Sequence, residues 1–367
     1  MVRYNIEVRL SVELIPRQFS LNRALVLIAL EIVAFFANKY RPEVRMKMDL
    51  KHVILTAGGV LAAGTAASFI GARTLFSRVI PRQRELRVDI SEMADGEKWE
   101  EYIKLIHKVK EKFLQRTSEH VTVKSDDGLT LHGDLFPAEN PSKRTVILFH
   151  GYTSCGMNDC PTMAEYFMER GFNALIVDQR SHGKSDGEYI GFGILDRFDC
   201  LKWTKYVAER FGGESEIVLY GVSMGASTVL MASGTDGFPD NVKAVISDCA
   251  FTSPYDVFTH ILKRDYHLPP HPIMDINERL CRKKAGYGFR DYSTLDAVKR
   301  APCPILFIHG KEDSFVPTEM TLRNYNACTG EKMLLLVDNA GHAASLYENK
   351  ELYENTVTEF LNTYLGG

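Results

Sequence analysis

Three polar residues, each placed just after a short apolar run, could together perform nucleophilic catalysis. Ser223 is the central residue of a Gly-Val-Ser-Met-Gly stretch (221–225) that directly follows the apolar run 217–220. A serine between two glycines at such a place is typical of a tight strand-to-helix turn that exposes the hydroxyl. Since a neutral serine is a weak nucleophile, it needs a base that is held in place by an acid. Asp313 and then His342 follow later apolar runs, in the chain order that this kind of turn requires.

We therefore predict Ser223 as the nucleophile, His342 as the general base and then acid, and Asp313 as the residue that orients the imidazole. Three further carboxylates compete with Asp313 for the last role: Glu312, Asp248 and Asp338. Asp338 lies only four positions before His342, which makes the far ring nitrogen hard to reach. Asp248 follows the apolar run 244–246 and remains the open alternative.

A tetrahedral intermediate also needs two backbone N–H donors for its oxyanion. We expect the first from the amide of Met224, the residue directly after the proposed nucleophile. The second should come from the loop after the run 145–149, where Tyr152 follows Gly151. The glycine would let the backbone turn its Tyr152 amide towards the serine.

The remaining chemically active residues favour structural roles. His150 and His309 each end a strand as His-Gly, and His182 lies in a polar loop, where imidazole rings usually brace the backbone. Cys155 and Cys160 have no second Cys/His pair nearby at zinc spacing, so no metal site is predicted. No Gly-x-Gly-x-x-Gly follows a first strand, and no cofactor is predicted either.

Apolar runs and amphipathic stretches alternate from residue 119 onwards. Two runs flank Asp126-Asp127-Gly128, a turn signal that predicts an antiparallel hairpin. Helical patterns separate the further apolar runs, which lie at 145–149, 174–177, 217–220, 244–246, 305–308 and 333–337. Buried strands that alternate with helices predict a mostly parallel sheet covered on both faces. We therefore predict an α/β fold with an eight-stranded sheet. Residues 254–303 exceed an ordinary helix and could form either a lid or a passive excursion.

Five motifs in this order resemble the α/β-hydrolase superfamily, specifically its bacterial serine-aminopeptidase-like or lysophospholipase-like branch. They are His150-Gly151-Tyr152, Asp178–Ser185, Gly221–Gly225, His309-Gly310-x-x-Asp313 and Gly341-His342. The resemblance covers about residues 119–366 and implies hydrolysis by a Ser-His-acid triad on esters, thioesters, lipids or peptides. It keeps Asp248 open, because some relatives place the acid at that strand end. Ser181 stands where the branch usually has glycine, which puts the shape of that loop in doubt.

The front of the chain has a different character. Residues 53–72 are twenty positions without a charge, enough for a helix to span the ~30 Å hydrocarbon layer. A cleaved signal peptide would have a shorter apolar core of ~7–15 residues, and a buried helix of a soluble domain is the other alternative. We expect an uncleaved membrane anchor. Five basic residues on each side leave its orientation undecided.

These patterns divide the chain into a leader or over-extended start (1–45), an anchor with a basic stalk (46–94), an amphipathic helix (95–118) and a hydrolase domain (119–367). Lys+Arg 44 against Asp+Glu 47 gives a net charge of −3, which offers no basic field for nucleic acid. Seven cysteines, an odd number, exclude a fully paired disulfide framework.

The sequence therefore predicts a membrane-anchored serine hydrolase that cleaves a small ester or acylated substrate. Two alternatives stay open. The same triad could serve a serine peptidase or amidase, or the chain could be a catalytically silent hydrolase-fold protein that binds a partner at the membrane. The acyl and alcohol parts of the substrate, the side of the membrane and the oligomeric state are not predicted.

Overall fold

The computed structural model describes residues 68–83 and 96–365. The chain forms two compact units, Phe76–Leu268 with Glu278–Gly367, and Met1–Leu75 with Pro269–Asn277. In the second unit the described residues include helical backbone at 68–75 and a hydrogen-bond contact between His271 Nδ1 and Asp275 Oδ2 (2.7 Å). Residues 273–277 of the helix Ile273–Ala285 also belong to the second unit, and all other features below belong to the first.

The predicted leader, most of the predicted anchor and much of the basic stalk lie outside the described residues. Of the anchor at 53–72, only residues 68–72 are described, and they are helical. Within the described ranges, no helix combines the length and the apolar character that crossing a bilayer requires. The anchor therefore stays a prediction.

An eight-stranded sheet forms the centre of the first unit, in the order β1-β2-β4-β3-β5-β6-β7-β8. Its strands are β1 (Glu119–Lys124), β2 (Thr130–Phe136), β3 (Arg144–Phe149), β4 (Asn173–Asp178), β5 (Glu216–Val222), β6 (Val242–Asp248), β7 (Ile305–Gly310) and β8 (Lys332–Val337). The hairpin β1–β2 is antiparallel and β2 runs antiparallel to β4, whereas the strands from β4 to β8 pair in parallel. The predicted α/β fold with a mostly parallel eight-stranded sheet is confirmed.

Helices connect the strands and cover the sheet. They span Gly96–Phe113, Gly156–Asp159, Pro161–Met168, Asp196–Phe211, Met224–Ser233, Pro254–Tyr266, Ile273–Ala285, Thr294–Ala297, Thr318–Ala327, Ser345–Glu348 and Lys350–Leu365. The stretch 254–303, expected as one helix plus an irregular insertion, thus contains three helices.

Two apolar cores lie on opposite faces of the sheet, because successive side chains of a strand point to opposite sides. In β3, Val146 and Leu148 belong to one core, while Ile147 and Phe149 belong to the other. Every residue from Thr145 to Phe149 is buried, which explains why the central strands read as continuous apolar runs. A rigid central sheet of this kind fixes the positions of the loops at the carboxyl ends of its strands.

Candidate active site

The turn between β5 and the helix Met224–Ser233 holds Ser223 in a strained conformation. Its backbone has φ 55° and ψ −115°, a region that costs a non-glycine residue about 1–3 kcal/mol. The amide of Ser223 donates to the carbonyl of Asp248 (2.8 Å), which ties the turn to the end of β6. The strain is therefore held by the neighbouring strand.

Both glycines of the turn are required by close packing. A Cβ on Gly221 would lie 2.3 Å from the carbonyl oxygen of Gly225, and a Cβ on Gly225 would lie 2.1 Å from that of Phe149. No side chain fits at either place without moving backbone. The two glycines therefore allow the helix to start directly against β3, with the serine at its N-terminus.

Ser223, His342 and Asp313 are joined by hydrogen bonds. Ser223 Oγ lies 2.8 Å from His342 Nε2, and His342 Nδ1 lies 2.7 Å from Asp313 Oδ2. All three residues are buried. With Nδ1 donating to the carboxylate, Nε2 is free to accept the serine proton. The structure thus brings the three predicted residues together in the predicted order, and we call them the relay.

Asp313 is held as a carboxylate by its surroundings. Its Oδ1 accepts hydrogen bonds from the amides of Phe315 (2.9 Å) and Val316 (2.8 Å). Burial alone would raise its pKa, but the facing rings of His342 and His309 and their hydrogen bonds hold the pKa of Asp313 well below its usual range. An ionised Asp313 is what an imidazolium at His342 would need beside it.

His309 has a role that sequence reasoning described only as bracing a loop. Its Nε2 lies 3.0 Å from Asp313 Oδ2 and 2.8 Å from the carbonyl oxygen of Val316, both of which are acceptors. Its Nδ1 lies 2.6 Å from the hydroxyl of Thr321. His309 therefore helps to hold Asp313, the acid of the relay, in position. The spacing His309-Gly310-x-x-Asp313 was the available signal, since both residues follow the same strand.

The three competing carboxylates have different surroundings from those of Asp313. Asp248 accepts a hydrogen bond from the hydroxyl of Tyr353 (3.0 Å), and Tyr353 in turn lies 3.2 Å from the hydroxyl of Tyr220. Burial raises the pKa of Asp248 to about 6. Within the described part of the chain, its Oδ1 has no hydrogen-bond partner. Glu312 is exposed, and Asp338 pairs with a surface lysine.

The loop expected to supply the second oxyanion donor lies directly against the serine. A Cβ on Gly151 would lie in ordinary van der Waals contact with Ser223 Cβ, at 3.5 Å, so the loop passes close beside the serine. The amide of Gly151 donates to Asp159 Oδ2 (2.8 Å), which fixes the turn just before Tyr152. The other expected donor, the amide of Met224, is in the first turn of its helix, where N–H groups have no carbonyl partner within the helix.

A segment far upstream holds the Tyr152 side chain. We call Phe76–Gln83 the strap. The Tyr152 hydroxyl donates to the carbonyl of Val79 (3.0 Å). The strap pairs with the loop before residue 191: the amide of Arg82 donates to Glu188, and that of Ile190 donates to Ile80, both at 2.8 Å. Sequence reasoning missed this element, because backbone pairing of a short segment leaves no side-chain pattern.

The histidines outside the relay have structural surroundings. His150 Nε2 accepts from the amide of Gln179 (3.0 Å), and its ring meets that of His182 edge to face. Complete burial lowers the pKa of His182 to about 3, so this ring stays neutral. Arg180 in the same loop forms a buried ion pair with Asp199 (2.6 Å). These contacts fix the loop after β4, as the sequence led us to expect for His150 and His182.

One group of potential metal ligands occurs among the described residues. Ligand atoms of Cys249, Asp313 and His342 lie within 4.8 Å of one another. Two of these residues already bond to each other in the relay, and burial raises the pKa of the Cys249 thiol well above its usual range. A protonated thiol is a poor ligand, so the relay itself accounts for this group.

A cavity of about 410 Å³ opens on the relay. This volume lies within the ~300–1,000 Å³ usual for small-molecule sites. Ser223, His342 and the loop at Gly151 and Tyr152 line it. Apolar side chains from three different segments form much of the rest: Ile103, Ile106, Met163, Leu346 and Tyr347. None of the described residues at 254–303 lines this cavity, and the movement of that insertion as a lid stays a prediction.

Residues 161–367 match the prolyl oligopeptidase family. The chain is 32% identical over 257 residues to the uncharacterized protein YqkD of Bacillus subtilis, across 70% of this chain and 83% of that protein. It is 24% identical to the AB hydrolase superfamily protein YisY of the same organism, across 68% of this chain and 98% of that protein. The solved esterase Pf2001 of Pyrococcus furiosus aligns over 70% of this chain and 94% of its own, with a TM-score of 0.57 and 23% identity.

The structural similarity supports the fold, and the family match covers the turn at Ser223, Asp313 and His342. The resemblance to the α/β-hydrolase superfamily that the five motifs suggest is thereby confirmed. The chain belongs to the prolyl oligopeptidase family of α/β hydrolases.

Proposed function

We propose that the protein is a serine hydrolase that cleaves carboxylic esters through an acyl-enzyme. The observation that carries this proposal is the relay: a strained, buried serine lies 2.8 Å from a histidine that is itself 2.7 Å from a carboxylate, and the serine and the histidine line a cavity. Activation of a serine by a neighbouring base requires this set of contacts.

In the proposed reaction Ser223 Oγ attacks the ester carbonyl carbon while its proton passes to His342 Nε2. The oxyanion receives hydrogen bonds from the amides of Met224 and Tyr152. His342 then gives its proton to the leaving alcohol as the bond to the acyl carbon breaks. Water, deprotonated by the same nitrogen, releases the acid and restores the serine. Asp313 stays ionised throughout and stabilises the imidazolium.

The cavity favours an ester with an apolar part. Asp159, one of two carboxylates among the described residues that line it, accepts from the amide of Gly151 (2.8 Å) and the hydroxyl of Ser154 (2.5 Å) and so holds the loop beside Ser223. The apolar side chains of Ile103, Ile106 and Met163 line the same cavity and favour a substrate with an apolar group. Pf2001 of Pyrococcus furiosus, an esterase with the same fold, supports the same choice.

A serine peptidase or amidase is the second candidate. The match to the prolyl oligopeptidase family favours it. Asp248 also lines the cavity, and its unpartnered Oδ1 could accept a hydrogen bond from a substrate N–H. The same relay would then cleave an amide, with His342 protonating a leaving amine in place of an alcohol.

The test compares the full chain with Ser223→Ala and with Ser314→Ala as a matched control, since Ser314 is exposed and its hydroxyl takes no part in the relay. A fluorophosphonate probe should label the wild type and Ser314→Ala but not Ser223→Ala. The labelled proteins are then assayed on p-nitrophenyl esters and on aminoacyl p-nitroanilides. Ester turnover without detectable anilide turnover supports the esterase, because activated esters are cleaved by serine peptidases as well. Hydrolysis of the anilides that is lost in Ser223→Ala supports the peptidase. A folded wild type that is not labelled would support the catalytically silent alternative.

We also propose that residues 53–72 anchor the chain to a membrane. The support is the uncharged run of twenty residues in the sequence. Alkaline carbonate extraction of membranes from cells that express the full chain should leave it in the pellet. Replacing Leu61 and Val60 by lysine should release it, because a charge in the middle of a spanning helix costs about 2.5–3.5 kcal/mol. Release of the wild type by carbonate would contradict the anchor.

A further inference from the structure

We propose that the helix Gly96–Phe113, which precedes the hydrolase sheet in the chain, forms the specificity-determining wall of the substrate cavity and binds the apolar chain of the ester. This inference rests on the proposed serine hydrolase and names the part of the molecule that selects its substrate. The helix lies outside residues 161–367, the stretch that matches the family.

The helix presents one apolar face to the cavity. Ile103 and Ile106 both line it, together with His107 and Lys110 one turn further on. Residues three and four positions apart lie on the same side of a helix. Leu105, in contrast, is 51% exposed and points away. The amphipathic pattern of this helix therefore has two functions, since one part of its face packs on the domain and the adjoining part lines the cavity.

Contacts at both ends of the helix hold this wall in place. The ring of Tyr102 stacks on that of Tyr347, with 5.7 Å between centroids, and its hydroxyl contacts Glu348. The ring of Phe113 packs against that of Phe136 at 4.5 Å. Between them, Lys110 Nζ donates to Asn158 Oδ1 (2.6 Å). A wall fixed at three points can discriminate between chain lengths, because it does not yield to a longer ligand.

Other segments add apolar lining to the cavity. Met163 and Leu346 are buried and line the same cavity as Ile106 and Ser223. An engineered cavity of about 150 Å³ holds a benzene ring, or about 25 Å³ per heavy atom. At that density the cavity of about 410 Å³ has room for roughly sixteen heavy atoms. Such a space fits the ester group and an aliphatic chain of medium length.

The test uses the full chain and measures kcat/KM for p-nitrophenyl esters of increasing acyl length. In Ile106→Trp the indole occupies part of the cavity. The ratio of kcat/KM for long over short esters should fall at least tenfold, since one methylene in a hydrophobic pocket is worth about 10–200-fold. Ile106→Ala enlarges the cavity and should move the optimum to longer chains. Leu105→Trp and Leu105→Ala, one position away on the exposed side, are the matched controls and should leave the profile unchanged.

Labelling rates with fluorophosphonates that carry short and long alkyl chains give a second measurement that does not depend on turnover. If Ile106→Trp does not fold, as a thermal melt would reveal, Ile103→Trp takes its place. If the wild type is active and the Ile106 variants have the same chain-length profile as the Leu105 variants, the proposed role of the helix as the specificity-determining wall is wrong. A wild type that neither labels nor turns over any ester would instead overturn the proposed hydrolase, so the two failures are distinguishable.

Discussion

Asp248 and Asp313 are buried carboxylates at the ends of neighbouring strands, and replacing each by asparagine should have opposite consequences. Burial raises the pKa of Asp248 from its ordinary 3.8 to about 6. A pKa difference of this size between folded and unfolded chains corresponds to about 3 kcal/mol. The folded state keeps the proton of Asp248 up to about pH 6, whereas the unfolded chain releases it near pH 3.8. The wild type should therefore lose about 3 kcal/mol of stability as the pH rises through this window.

Asp248→Asn removes this titration. The amide oxygen of the new asparagine can still accept a hydrogen bond from the Tyr353 hydroxyl. Its amide nitrogen adds donors that the carboxyl group did not have. The effect of these donors on stability is the same at every pH. The informative quantity is therefore the difference in unfolding free energy between variant and wild type. We expect that difference to rise by about 2 kcal/mol between pH 4 and pH 7 and to stay constant above, since the rest of the full change lies below pH 4. Urea denaturation followed by circular dichroism at several pH values measures it.

Asp313→Asn is the matched control. The pKa of Asp313 is held below its usual range, so its carboxylate stabilises the fold above pH 3.8, and this stability is lost only as the pH falls through the lower folded pKa. The difference in unfolding free energy between Asp313→Asn and the wild type should therefore be unfavourable and nearly independent of pH from pH 4 to pH 7. Asp313→Asn should also lower kcat about 10⁴-fold, while Asp248→Asn keeps most activity. A flat difference for Asp248→Asn would refute the burial argument, and a 10⁴-fold loss in that variant alone would make Asp248 the acid.

Three further predictions concern the turn at Ser223 and the strap. Ser223→Ala should abolish turnover and leave the melting temperature nearly unchanged, and a variant with wild-type kcat would exclude Ser223 from the mechanism. Gly225→Ala should destabilise the fold by about 3 kcal/mol or more, because its Cβ would lie 2.1 Å from a carbonyl oxygen of β3; Gly213→Ala, with open space around it, is the control, and equal melting temperatures would contradict the packing argument. Tyr152→Phe removes the donor to Val79 and should cost about 1 kcal/mol in urea denaturation, together with a reduced kcat; no change in either would show that this contact has no role.

The sheet and the relay could be predicted from sequence because each leaves a local pattern. Buried strands are continuous apolar runs, and the turn at Ser223 needs glycines at two fixed positions. The role of the helix Gly96–Phe113 could not be predicted in the same way. Its periodicity defines an apolar face, but a pattern does not tell which surface or cavity that face meets. The choice between Asp248 and Asp313 was similarly open, since both follow strand ends and only the hydrogen bond from His342 to Asp313 distinguishes them.

The strap affects the order in which the segments of the molecule unfold. It is joined to the loop before residue 191 by the backbone hydrogen bonds of Arg82 and Ile190, whereas β3 and β5 lie in the middle of the sheet. Small peripheral units open at a lower free energy than a central sheet. The amides of Arg82 and Ile190 should therefore exchange with deuterium well before those of β3. Each such opening releases the Tyr152 side chain from Val79 and loosens the loop beside Ser223. Inactivation should then precede unfolding, so that activity should be lost at urea concentrations at which the central sheet is still folded.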